Sequence, residues 1–251
     1  MTKAILYSGT RNASSWAMRA WLALRAAQFE FREEMVDIRR PQRFANLEQI
    51  GRFSPPAMVP ALVVDDDVIF DSLAIMEFAN DTCGGRLLPR DPIGRARARS
   101  ILAWQHSGLS GICSRISFES AFYPFKRALT PEESAECTRL FKPLEEQLTR
   151  SGGPYLFNTL TLADLALVPA VVRLTRHAVD LKPWPQVGEW CSAIMELRLV
   201  EEWLGEADRL PHIWFDNYLN SEADTRQLLT VEHPAECSID VTPAPVLVAC
   251  P

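Results

Sequence analysis

Along the first eighty residues the apolar positions alternate between strand-like and helix-like spacing. "AILY" (Ala4 to Tyr7) is a short continuous apolar run and predicts a buried strand. From Trp16 to Ala27 the apolar residues Trp16, Ala20, Trp21 and Leu24 recur at helical spacing. "FREEMVDI" (Phe31 to Ile38) reads as a second strand. "ALVVDDDVIFDS" reads as a hairpin, two β-rich runs around the acidic turn Asp65-Asp66-Asp67. A helix follows Asp71, with Leu73, Ile75, Met76 and Phe78 apolar. The order β-α-β then β-β-α predicts a small four-stranded α/β unit over residues 1–82. "TCGGRLLPRDPIG" (Thr82 to Gly94) is rich in Gly and Pro, which makes 83–94 a linker.

Beyond the linker the strand period disappears, and residues 95–220 read as all-helical. Helices are expected from Arg95 to Ile116 and from Thr130 to Arg150. The latter starts with Thr130 as cap, Pro131 at the first helical position and Glu132 and Glu133 in the first turn. Pro143 is expected to bend or break it. "LTLADL" places Thr161 as a cap with Asp164 three residues later, a capping box with Asp for Glu, and Leu160 with Leu165 as a hydrophobic staple. Further helices fit Pro185 to Leu197 and Leu199 to Ala207. From Ser221 periodicity fades and proline increases, so 221–251 is expected to be an extended or disordered tail.

A chain of 251 residues with 47% hydrophobic and 23% charged residues suits a soluble globular protein with a good core. No apolar run approaches membrane-spanning length and the first residues lack a signal-peptide core, so a cytoplasmic protein is expected. The six cysteines are scattered without C-x-x-C or paired Cys/His spacing, which predicts single thiols and no metal site. The net charge of −6 comes from the end of the chain, where ten acids and two arginines follow from Glu201 onward. An acidic chain without a clustered basic stripe is not expected to bind nucleic acid. "RARAR" (Arg95 to Arg99) reads as a solvated helix face.

Four stretches together carry a resemblance. "VPAL" (Val59 to Leu62) followed by "DSLAI" (Asp71 to Ile75) resembles the glutathione-binding half of the cytosolic glutathione transferases. "NASSWAMRAWLALR" looks like the bacterial serine-type members near the zeta and beta classes. "AWQHSGLSGI" and "YLFNTLTLADLALVP" are similar to that group's helical domain. The resemblance covers roughly residues 4 to 207. It implies a thioredoxin-like N-terminal domain with a four-stranded mixed sheet and an all-α C-terminal domain. It also implies glutathione as co-substrate, no metal, and a homodimer.

In the family, a cis Val59-Pro60 bond would offer the Val59 backbone to the cysteinyl part of glutathione as an added strand. Asp71 and Ser72, at a helix start, would hold the γ-glutamyl end; Asp or Ser would also serve there as a simple N-cap. Thr161 and Asp164 are structural. Met58 stands where relatives often carry a basic residue or Gln, so the glycyl carboxylate would have to find Arg39, Arg40, Arg43 or another basic group. A second substrate would sit between the domains near Trp16, His106, Leu109, Phe118, Phe122 and Tyr123. His106 has the chemistry of a general acid or base, or of a packed interdomain histidine.

A protein donor near the glutathione sulfur would lower its pKa. Aligned without gaps on "LY" and "LAL", the zeta-class catalytic serine falls on Asn12 and the beta-class cysteine on Ser14. Asn12 can donate from its amide. Ser14 can donate to a thiolate or cap the helix with Ser15 exposed in the first turn, and Ser15 is expected with Val59, Pro60, Asp71 and Ser72 among the glutathione-binding residues. Tyr7 lies too early to take the role. The leading expectation is a glutathione transferase that adds the thiol to a small hydrophobic electrophile. The alternatives are a glutathione-dependent isomerase, etherase or dehalogenase, and a non-catalytic binding protein of the same fold. Basic groups in the cleft would favour isomerisation of a dicarboxylate.

Overall fold

The computed structural model describes residues 3–39, 41–108 and 116–214. The chain opens β1 (Ala4–Gly9), α1 (Ser15–Ala27), β2 (Arg32–Val36), α2 (Arg43–Gly51), β3 (Ala61–Val64), β4 (Asp67–Phe70) and α3 (Ser72–Thr82). The sheet order is β2-β1-β3-β4, with β1 parallel to β2 and antiparallel to β3, and β3 antiparallel to β4. This is the mixed four-stranded sheet expected. The added element is α2, whose short, weakly apolar run carries little helical signal. Asp65 takes the positive φ of 52° in the acidic turn, where Asp tolerates the left-handed region.

The helical part comprises α4 (Pro92–Gly108), a 3₁₀ turn (Glu119–Phe122), α5 (Pro131–Ser151), α6 (Leu162–Arg176), α7 (Pro185–Met195) and α8 (Arg198–Ala207). Two expectations change. The helix predicted over Arg95 to Ile116 begins at Pro92, because Pro suits the first turn, and Ile116 lies in a bend. Leu109 lies outside the described residues. Pro143 sits inside α5 without ending it; the first turn is fixed by a capping box in which Thr130 and Glu133 exchange hydrogen bonds. The predicted tail from Ser221 also lies outside the described residues.

One core runs through both parts. Helix α1 packs against α3 on the sheet side and against α6 and α8 on the other. Met18, Leu22 and Leu24 are fully buried, each burial stabilising by about 2 kcal/mol. Helix α6 is buried almost throughout, as its near-continuous apolar sequence requires. At its start the predicted box forms: the Asp164 carboxylate accepts from the Thr161 N–H and hydroxyl, the Leu156 N–H and Trp190 Nε1. A second buried polar knot joins α1 to the helical part. Arg19 donates to the Ala166 carbonyl at 3.0 Å, and the Gln105 amide oxygen, suitably oriented, lies 2.6 Å from it. Its guanidinium also lies 4.2 Å over the Trp16 ring, fixing that side chain at the mouth of a cleft.

Cys137 and Cys191 are buried thiols and Cys83 is half-buried; none of the three is in a disulfide. Among the described residues no helix is long and apolar enough to cross a membrane.

Candidate active site

The chain after β1 turns through Thr10–Ala13 and enters α1. Ser14 is the N-cap, its hydroxyl oxygen accepting from the Ala17 N–H at 3.2 Å. That bond uses a lone pair and leaves the hydroxyl hydrogen able to donate. Gly9 makes the arrangement possible: a Cβ there would stand 2.6 Å from Ser14 Cβ and 3.0 Å from Val59 Cγ2. Strand end, helix cap and the Val59-Pro60 turn therefore meet with no room between them. The Val59-Pro60 peptide is cis.

Two adjoining cavities open from this junction, sharing Trp16, Met58 and Val59. The first, about 300 Å³, is closed by Pro60, Phe70, Asp71, Ser72 and His106. Asp71 caps α3 by accepting from the Leu73 N–H at 2.7 Å, and holds an unusual φ of 73° to do so. One of its carboxylate oxygens lies 3.3 Å from His106 Nε2, whose ring meets Trp16 edge-on. Ser72 is buried, yet its hydroxyl has no hydrogen-bond partner among the described residues. A buried hydroxyl left unpaired costs about 1–3 kcal/mol, and this one lies at a helix N-terminus, where backbone N–H groups favour negative charge.

The second cavity, about 260 Å³, brings Ser14 and Ser15 together with Arg43, Phe118, Glu119 and Arg173. Ser15 is buried, not exposed in the first turn as expected, because Arg173 reaches it from α6 at 3.4 Å. Arg173 is 3% exposed, donates to the Pro169 carbonyl and stands 5.1 Å over the Phe118 ring. Burial pushes the Glu119 carboxyl above its usual range, while a hydrogen bond from its own backbone, Arg173, a hydrogen bond from Ser117, and Arg43 pull the other way. Arg39 is engaged with Asp37 at 2.7 Å, and Arg40 lies outside the described residues.

Other expected residues stand elsewhere. The Asn12 amide donates to the Pro211 carbonyl and Asn12 lines neither cavity. Phe122 and Tyr123 are buried beside the cleft and line neither cavity: Phe122 lies under Arg176, and the Tyr123 hydroxyl donates to the Ile213 carbonyl. The loop is further pinned by Arg11, which pairs with Glu33 at 2.6 Å and Glu206 at 3.0 Å between the rings of Trp21 and Trp203. Gly9, Glu119 and Arg173 were not among the predicted site residues. For Arg173 a signal exists: it interrupts the apolar run of α6, where an unpaired charge would be costly.

Comparison with known proteins gives the family. The N-terminal domain of glutathione S-transferases matches residues 13–82, and the C-terminal domain matches 128–196. A probable maleylacetoacetate isomerase of Caenorhabditis elegans is 32% identical, over 74% of this chain and 85% of the relative. Maleylacetoacetate isomerase of Mus musculus is 31% identical, over 79% and 91% respectively. Among solved structures, glutathione S-transferase isozyme E7 of Drosophila melanogaster superposes with a TM-score of 0.66 at 25% identity, covering 82% of this chain and 93% of its own. Both halves of the pattern are present in order, and the chain belongs to the glutathione S-transferase family.

Proposed function

We propose that the cleft binds glutathione and uses its thiol to isomerise an unsaturated carboxylic acid about a carbon–carbon double bond. The observation that carries this reading is Arg173, a buried guanidinium on the wall of the cavity that Ser14 and Ser15 line. A hydrophobic electrophile has no need of such a group. A carboxylate does, because an arginine fork can hold it by charge-assisted hydrogen bonds. The names of the nematode and mouse relatives, maleylacetoacetate isomerases, support the same chemistry.

In this reading glutathione, when bound, supplies a thiolate that adds to the conjugated double bond, permits rotation and leaves again unchanged. The protein's part is placement and charge. Ser72 and the α3 N-terminus receive the γ-glutamyl carboxylate, Asp71 its amino group, and the Val59 backbone the cysteinyl unit. Arg43, which lines the same cavity as Ser14, takes the glycyl carboxylate. Ser14 donates its free hydroxyl hydrogen toward the sulfur, and the α1 N-terminus behind it favours negative charge there. Arg173 aligns the second substrate.

A transferase acting on an apolar electrophile is the second reading, supported by Trp16, Met58 and Phe118 on the same walls. Incubation with glutathione and maleylacetoacetate separates the two. Isomerisation with glutathione undiminished is the expected result. Consumption of glutathione into a stable adduct would favour the transferase. A homodimer belongs to either reading, and sedimentation at micromolar concentration tests it.

A further inference from the structure

The proposed chemistry leaves one charged wall residue without a role. Glu119 opens the 3₁₀ turn and lines the same cavity as Ser14, Arg43 and Arg173. Its neighbour Phe118 carries the Arg173 guanidinium on its ring face, so the turn and α6 present a carboxyl and a guanidinium to one small space. With the glycyl carboxylate of glutathione on Arg43, a carboxylate ligand entering there meets the Arg173 guanidinium and one acid. With Glu119 ionised, the acid answers part of that positive field and repels the ligand. With Glu119 neutral, that repulsion is gone and the acid has become a hydrogen-bond donor.

We propose that Glu119 is a proton-linked specificity residue: a carboxylate substrate binds beside Arg173 only as Glu119 takes up a proton from solvent. The inference rests on the anionic-substrate reading above. The step is balanced: one ligand carboxylate and one solvent proton enter the cavity together, and no bond other than the Glu119 O–H is made. Burial already favours the neutral acid, so the linkage operates above the ordinary carboxylate range.

The other groups around the turn do not supply the same switch. Arg173 on α6 and Arg43 on α2 act on Glu119 as guanidinium groups, and Ser117 and the Glu119 backbone offer it hydrogen bonds. His177, at the end of α6, lies 3.3 Å from the Ser120 hydroxyl, but burial holds its titration down to about 4. Arg176, over Phe122, is paired with Asp208.

The test is calorimetric. Succinate, a dicarboxylate with no double bond for a thiol to attack, is titrated into the full chain saturated with S-methylglutathione. Two buffers of different ionisation heat are used at each pH from about 6.5 to 8, where succinate is fully a dianion and contributes no protons of its own. Uptake approaching one proton per succinate is expected as pH rises, with affinity falling by up to about tenfold per pH unit. Glu119→Gln should bind without proton uptake, with flat affinity, and at least about tenfold more tightly than the wild type at the top of the range. Glu119→Met should lose the uptake too, but bind more weakly than Glu119→Gln for want of a polar partner. Buffer-independent heats in the wild type, or unchanged uptake in both variants, would overturn the proposal. Binding of S-methylglutathione without any binding of succinate would overturn the anionic-substrate reading itself, and the proposal with it.

Discussion

The side-chain amide of Asn12 donates to the backbone carbonyl of Pro211 at 2.9 Å, across 199 positions of sequence. Two residues later, Ser14 turns its hydroxyl to the start of α1 and to the cavity. The two candidates for the thiol thus divide the work: one ties the loop to the segment after α8, the other faces the cleft. Asn12→Ala should therefore keep the thiolate absorbance of bound glutathione while losing about 1–2 kcal/mol of stability, since the Pro211 carbonyl loses its donor. Ser14→Ala should abolish the thiolate signal and cost only about 1 kcal/mol through the lost cap. Thiolate absorbance recorded with denaturant titrations checks both. Loss of the signal in Asn12→Ala with stability intact would reverse the assignment.

Ser72 gives an opposite signature. Its buried hydroxyl has no partner among the described residues, while the cap of α3 is already supplied by Asp71. Ser72→Ala removes an unsatisfied group, so stability should hold or rise slightly. Glutathione affinity should fall about tenfold, the equivalent of one hydrogen bond to a charged group. Calorimetric titration and thermal unfolding on the same preparation decide it. A variant that binds glutathione as tightly as the wild type would remove Ser72 from the site.

Gly9 is where packing alone should control chemistry. An added methyl would press on Ser14 Cβ and Val59 Cγ2, neither of which is the tip of a long flexible chain. Gly9→Ala should cost about 1–3 kcal/mol by overpacking and displace the Ser14 hydroxyl from the sulfur position. Reduced thiolate absorbance with the sheet still folded, seen by circular dichroism, is the expected result. Full absorbance would mean that the junction can relax around the methyl.

Local signals made most of this fold legible. The strand and helix periods locate β1, α1, β3, β4 and α3, and the Thr130 and Thr161 starts locate α5 and α6. Helix α2 escaped because only Ile50 of its residues is buried, so it leaves almost no apolar period to read. Within the site, Ser14, Val59, Asp71 and Ser72 sit at strand ends and helix starts, where local chemistry restricts residue choice. Arg173 and Glu119 meet only through the packing of α6 against the 3₁₀ turn, 54 positions apart by their numbers, and no local pattern reports that. Asn12 shows the same limit in reverse. Its neighbours suggested the thiol, and its partner proved to be a carbonyl 199 positions further along the chain.

The pH dependence of stability should carry the mark of His177. Its Nδ1 donates to the Arg173 carbonyl at 2.7 Å, and burial, with Lys126 and Arg127 nearby, lowers its titration to about 4 from the ordinary 6.5. The folded state then binds the proton less readily than the unfolded state. Stability is fully present above about 6.5 and is lost as pH falls toward 4, by on the order of 2–3 kcal/mol. Glu119 acts with the opposite sign, because its raised carboxyl favours folding at low pH and loses that contribution as pH rises past it. Glu133, held below its usual 4.5 mainly by Arg127 against the cost of burial, acts in the same direction as His177 but in a lower window. Urea titrations of the wild type and His177→Gln across this range isolate the term. The wild type should lose stability from pH 6.5 downward, and the variant should be flatter over the same interval while starting from a lower value. Parallel curves would mean that His177 accepts its proton in the folded protein as readily as in the unfolded chain.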